Sequence, residues 1–171
     1  EDKKSIANSL NNIGVIYKNQ GQVKEALNYY DWSLKLQKEI GDKEGYATSL
    51  NNIGLIYKNQ GQVKKALDYY GRSLIIYEEI GDKQGVAYSL NNISAIYKIQ
   101  GQWKEVRSDE GDSLFNRALE YYKRSLKLRE EIGDKQQIAS CYNNIGSLYD
   151  AQDNSEKALS NHLKSLKIKE E

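Results

Sequence analysis

The phrase Asn-Asn-Ile-Gly-x-Ile-Tyr recurs along this chain at a nearly fixed spacing, and such self-similarity decides the architecture before any other property is weighed. It stands at residues 11–17 and again at 51–57. It returns at 91–97 with Ser94 for the glycine, and at 143–149 with Leu148 for the second isoleucine. The copies begin 40, 40 and 52 residues apart, so the third unit carries 12 added residues. A chain built this way folds as four stacked units of one kind and buries its core between neighbours.

One unit reads as two helices. Leu10, Ile13, Gly14 and Tyr17 fall at i, i+3, i+4 and i+7, one face of an α-helix. Gly14 costs about 1 kcal/mol of helix propensity against alanine, so the close approach of a neighbouring helix is its expected reason. The opposite face carries Asn8, Asn11, Asn12, Val15 and Asn19. This first helix, A, stops at Gln20-Gly21, where glycine takes the left-handed position past a helix end. The second, B, starts near Gln22 and presents Val23, Ala26, Leu27, Tyr30, Leu34 and Ile40. It ends at Ile40-Gly41, and Asp42 then caps the next helix A. Residues 9–24 and 49–64 differ only at Val15 against Leu55. A lone hairpin of this kind has two apolar faces and cannot bury both, so at least three must stack.

At these spacings the chain resembles the tetratricopeptide repeat, whose pattern runs W-x2-L-G-x2-Y, then A-x3-F, then P. Leu10, Ile13, Gly14, Tyr17, Ala26 and Tyr30 match it in the first unit, and Leu50, Ile53, Gly54, Tyr57, Ala66 and Tyr70 in the second. The third supplies Leu90, Ile93, Ser94, Tyr97, Ala118 and Tyr122, and the fourth Tyr142, Ile145, Gly146, Tyr149, Ala158 and His162. The period is 40 rather than 34 and the closing proline is missing, since the chain has none. That variant is similar to the longer-period repeats of kinesin light chains, of Pins/LGN scaffolds and of arrays attached to bacterial sensor kinases and cyclases. The resemblance implies an all-α, right-handed superhelical solenoid of four hairpins, with the A helices lining a concave groove that binds a partner protein.

The units are read as one array at about 1–40, 41–80, 81–132 and 133–171, with an insert at 106–117. Residues 1–4 align with 41–44, so the chain opens at a repeat boundary and reads as a piece of a longer protein. The segment Gly101-Gln102-Trp103-Lys104-Glu105 is expected to turn and begin helix B as the other copies do. Within the insert, Ser108-Asp109-Glu110-Gly111-Asp112-Ser113 reads as a polar turn, Asp112 or Ser113 as the cap of a restarted helix B, and Leu114 with Phe115 as an apolar plug. Such an insert either serves binding or is a tolerated loop. In the fourth unit, Asp153 with Glu156 is expected to cap helix B.

Composition removes several functions. Lysine and arginine total 25 against 24 acids, a net charge of +1, which argues against a nucleic-acid stripe or a membrane-binding surface. No apolar run approaches the roughly 18 residues of a membrane span, and no signal-peptide pattern opens the chain. The single Cys141 permits no internal disulfide and no cysteine metal cluster; a reducing, cytoplasmic compartment fits. No cofactor, metal or catalytic residue is expected. His162 stands where other units have tyrosine and reads as a packed aromatic substitute, and no histidine pattern supports Cys141 as a nucleophile. No phosphate loop or dinucleotide fingerprint is present, and the carboxylates of the insert do not have calcium-loop spacing. Most of the 14 tyrosines recur at packing positions. Tyr88 falls on the groove side of its helix. Trp32 and Trp103 occur in one unit each, and partial exposure of either would hint at an interface.

The functional expectation rests on the polar face of helix A. Asn8, Asn11, Asn12, Lys18 and Asn19 form it in the first unit, and Asn51, Asn52, Lys58 and Asn59 in the second. Tyr88, Asn91, Asn92 and Lys98 form it in the third, and Asn143 and Asn144 in the fourth, where Asp150 replaces the lysine. The resemblance places these positions in the peptide groove. An amide both donates and accepts, so a ladder of them can hold an extended peptide backbone, while the lysines favour acidic residues or a terminal carboxylate. Each asparagine pair is expected to split, one amide bracing the array and one facing out. The competing expectation is a structural spacer in a multidomain signalling protein, associating weakly with itself through uncapped ends or the insert.

Overall fold

In the computed structural model of the chain, the backbone is described for residues 2–103 and 109–170, and side chains for 2–101 and 111–170. Every regular element there is an α-helix, and the eight helices pair into four hairpins. Two compact units divide the chain, Glu1–Gly85 and Val86–Glu171.

The first unit holds α1 (Lys3–Asn19), α2 (Val23–Glu39), α3 (Lys43–Asn59) and α4 (Val63–Ile80). Its helix starts follow the expected chemistry. Asp2 accepts from the Ser5 backbone N–H and Asp42 from that of Gly45, so each A helix has its first turn satisfied by an aspartate. The joints follow it too. Gly21, Gly41 and Gly61 sit at φ 75°, 71° and 71°, the left-handed region that glycine enters without a Cβ penalty. Ala26, Tyr30, Ile53 and Ile56 are buried together, with Val15, Tyr17, Leu27, Leu34, Tyr57 and Tyr69 packed against them. A Cβ on Gly14 would stand 2.8 Å from the Tyr30 ring, and one on Gly54 2.8 Å from the Tyr70 ring. The glycine is therefore the slot into which its own hairpin's tyrosine fits.

A second aromatic layer lies nearer the surface. Tyr17 stacks on Tyr29 at 5.2 Å between ring centroids, and Tyr57 on Tyr69 at 5.4 Å. Lys65 and Arg72 lie over the Tyr57 and Tyr69 rings, a cation–π arrangement that keeps the charges in water. Trp32 meets Tyr29 edge-on and is about half exposed.

The second unit holds α5 (Lys83–Trp103), whose first turn reaches back into the first unit, then α6 (Asp109–Ile132), α7 (Lys135–Asp150) and α8 (Ser155–Glu170). Here three expectations are corrected. Gly101 does not open a turn: α5 continues through it, and its missing Cβ leaves room for the Phe115 ring 3.2 Å away. Residues 109–113 do not turn and Asp112 and Ser113 do not cap; they lie within α6, so the described part of the insert adds turns to a helix. Lys104, Glu105 and Ser108 lie outside the described residues. Phe115 does act as the apolar plug, 4% exposed in a cluster with Ala118, Tyr122, Ile145 and Leu148. The fourth joint is the third correction. Asp153 takes the left-handed position at φ 55°, and it is Asn154 that accepts from the Lys157 N–H at the start of α8. Asparagine and aspartate tolerate that conformation better than other side chains, which is how the joint forms without glycine.

Candidate functional site

The structure divides the A-helix polar residues by burial. In the first unit, Asn8, Asn12, Asn19 and Asn59 are exposed, Asn11, Lys18, Asn52 and Lys58 are half-buried, and Asn51 is buried. In the second, Tyr88 and Asn143 are exposed, Asn91, Lys98 and Asn144 are half-buried, and Asn92 is buried.

Two asparagine pairs split as expected, with Asn12 and Asn143 exposed beside the bonded Asn11 and Asn144, and two do not, since neither Asn51–Asn52 nor Asn91–Asn92 has an exposed member. Asn52 Nδ2 donates to Asn11 Oδ1 at 3.1 Å, and Asn144 Nδ2 donates to Asn91 Oδ1 at 3.0 Å. The second amide of one repeat thus reaches the first amide of the repeat before it, and the bond braces neighbouring A helices. Asn51 turns inward and donates to Ser73 Oγ at 2.8 Å. A buried amide without a partner costs about 1–3 kcal/mol; Asn51 meets that cost through Ser73, whereas the Asn92 Nδ2 group is buried without a partner. What remains open to a ligand are the exposed amides at Asn8, Asn12, Asn19, Asn59 and Asn143, and the lysines.

The lysines differ from ordinary surface lysines. Burial pushes the Lys58 ammonium below its usual pKa. Burial does the same at Lys98, partly opposed by the Asp150 carboxylate. Among the described residues Lys58 and Lys18 form no ion pair. A partly desolvated, unpaired ammonium gains more from an incoming anion than a solvated one. In the fourth repeat Asp150 accepts instead: His162 Nε2 lies 2.9 Å from its carboxylate, and Nδ1 lies 3.0 Å from Asn143 Oδ1. His162 also packs on Gly146 as tyrosines do on the other glycines, so it replaces the ring and adds two polar contacts.

Sequence reasoning missed the serines beneath this face. Ser33 donates to the Ala7 carbonyl, Ser73 to that of Ala47 and Ser125 to that of Ala87, each at 2.7–2.8 Å and fully buried. Their signal was available, since Ser33, Ser73, Ser125 and Ser165 keep the 40, 52 and 40 spacing of the repeat. Cys141 is buried beside Ser125, with its thiol pKa raised by burial. Among the described residues no group of three metal-binding side chains occurs, and no helix is long and apolar enough to cross a membrane.

Comparison with known proteins adds the following. The family model described as tetratricopeptide repeat matches residues 5–79, 47–114 and 109–171. No curated protein gives a significant sequence match. Among solved structures, BtubC (BKLC) from P. vanneervenii superposes with a TM-score of 0.80 at 22% identity, over 99% of this chain and 65% of that one. Aspartyl phosphate phosphatase F from Bacillus subtilis superposes with a TM-score of 0.86 at 16% identity, over 99% of this chain and 42% of that one. A Rap protein complexed with competence and sporulation factor gives 0.79 at 16% identity, over 100% and 45%. The chain therefore spans about two fifths to two thirds of the length of these structures, and at such identities the likeness is one of fold.

Proposed function

Because this chain belongs to the tetratricopeptide-repeat family, we propose that its A-helix faces bind a segment of a partner protein. The segment lies along the exposed asparagines and sets acidic side chains or its terminal carboxylate against the lysines. The observation that carries this reading is Lys58, half-buried, with its ammonium destabilised by burial and no ion pair among the described residues. A fold that keeps a partly dehydrated cation without a carboxylate leaves a place for one from outside. The reading assigns no covalent step to this chain, and the near-neutral net charge gives nucleic acid no stripe to follow. A Rap protein of the same fold has been solved with competence and sporulation factor bound, and by analogy the present chain holds a partner too.

The test is selection from a displayed library of random peptides with free carboxyl termini, using the whole chain and a Lys18→Gln/Lys58→Gln/Lys98→Gln variant. The reading expects wild type to enrich acidic or carboxylate-terminated peptides. A charge-assisted hydrogen bond contributes about 1.5–3 kcal/mol, so losing even one should weaken binding about tenfold or more. Equal enrichment by both proteins, or none by wild type, would remove the basis of the reading.

A second reading has one observation behind it. Leu159, Leu163 and Leu166 on α8 are 60%, 54% and 52% exposed, whereas Leu27 and Leu34, at the registers of Leu159 and Leu166, are packed into the first unit's core. Self-association through α8 would cover them. Sedimentation across a hundredfold dilution tests this: a monomer at every concentration excludes it.

A further inference from the structure

Beneath the A-helix face of the first unit lies a polar cleft of about 210 Å³ between α1 and α3. Its floor is Gln37, which projects from α2 and is only 1% exposed. Gln37 Oε1 accepts from Ser49 Oγ at 2.9 Å, while Nε2 has no partner. A buried donor with nothing to bond is uncommon, and this one borders open space. Gly45 lets both side chains close in: a Cβ there would stand 2.4 Å from Asp42 Oδ2 and 2.7 Å from Gln37 Nε2. An acceptor and a donor thus flank one point on the wall of the cleft.

The same register is filled differently elsewhere. Tyr77 brings its ring under Gly85 and its hydroxyl to Thr48 Oγ1 at 2.9 Å. Arg129 turns to Asp134 at 3.6 Å. Gln37 is shorter than either and leaves the volume above it unoccupied by protein.

We propose that this cleft is a subsite for a carboxamide group of the bound segment, with its C=O accepting from Gln37 Nε2 and its N–H donating to Asp42 Oδ2. The inference rests on the A-helix face binding a segment at all. Competing chemistries fit less well. A carboxylate would satisfy Gln37 but meet the two negative charges of Asp42 and Glu44 against the one positive charge of Lys4, all three lining the cleft. An ammonium would satisfy Asp42 but offers Gln37 nothing to accept its proton. An apolar group would leave both unmatched. A primary carboxamide carries a carbonyl oxygen and, on the same side, an N–H, so one group can meet both. Its source is an asparagine or glutamine side chain of the segment, because a trans main-chain unit points its N–H and C=O in opposite directions.

The test uses the whole chain, labelled with ¹⁵N, and follows the Gln37 side-chain NH2 resonance, assigned by its loss in Gln37→Leu. The probes are propionamide for a side-chain carboxamide, N-methylacetamide as the trans-amide control, and propionate as the charged control. The proposal expects a saturable shift with propionamide, at least fivefold weaker with either control and lost in Gly45→Ala. Should Gly45→Ala fail to fold, the Gly45 backbone resonance in Gln37→Leu decides, where saturation must likewise disappear. No saturable shift with propionamide, or equal saturation by N-methylacetamide or propionate, overturns the proposal. Such a result leaves the wider binding face standing, because these probes are too small to need it; that face fails only if the peptide selection fails.

Discussion

Single residues set the packing distances. Gly54 admits the Tyr70 ring to within 2.8 Å of where its Cβ would be. Gly54→Ala gains about 1 kcal/mol of helix propensity but overpacks a fitted core, which costs about 1–3 kcal/mol, so the urea midpoint should fall; a rise would contradict the fit. The fitted tyrosines carry a second consequence. Burial pushes the Tyr30 and Tyr122 hydroxyls up to about 12, against an unfolded value near 10. Below about pH 10 both states are neutral there and the full stability is present. Between about 10 and 12 the unfolded chain ionises while the folded one does not, so stability falls with rising pH. Denaturation followed by circular dichroism from pH 9 to 12 should show that decline, and a flat profile would contradict it. Cys141 should react with a thiol reagent far more slowly in the folded chain than in guanidinium, because its thiol is buried and its pKa raised. The glycines and tyrosines were legible because each has a distinctive letter at a fixed spacing. The serines keep the same spacing, but it does not tell their role: their partners are the backbone carbonyls of Ala7, Ala47 and Ala87, and no letter marks a carbonyl.

At the scale of elements, starts and stops were the most readable feature where a dedicated residue supplies them. Asp42 accepts from Gly45 N–H at 3.1 Å, and Asp42→Ala should cost about 0.5–2 kcal/mol in a thermal or urea melt. The same reading failed where a neighbour could do the work. Asp153 and Asn154 are both able to cap and both able to turn left-handed, and only packing assigned the roles. The insert failed for a different reason. Ser108-Asp109-Glu110-Gly111-Asp112-Ser113 has turn composition, yet from residue 109 it continues an amphipathic helix whose Phe115 anchors on Gly101 and Tyr122. A tertiary contact overrode local preference. Phe115→Ala should therefore lose about 3–5 kcal/mol in a denaturant series on the whole chain. A loss under about 1 kcal/mol would show that the added turns are ornamental to the core.

For the molecule as a whole, four hairpins and their family were readable because the repeat constrains every copy at once. The binding face was readable only in outline. Eight asparagines of one motif fall into exposed, half-buried and buried classes, because the packing around each amide, and not the motif, decides which is drawn inward. The exposed amides and the lysines remain as the surface on which the proposed function depends. The measurement that addresses it most directly is a chemical-shift map of the ¹⁵N-labelled chain with a selected acidic peptide bound. The account predicts the largest changes at Asn12, Lys18, Lys58 and Asn59 in the first unit and at Tyr88 and Lys98 in the second, with the helix B residues Trp32 and Ile75 unmoved. Changes concentrated at Trp32 and Ile75, or at Leu159, Leu163 and Leu166 on α8, would contradict it.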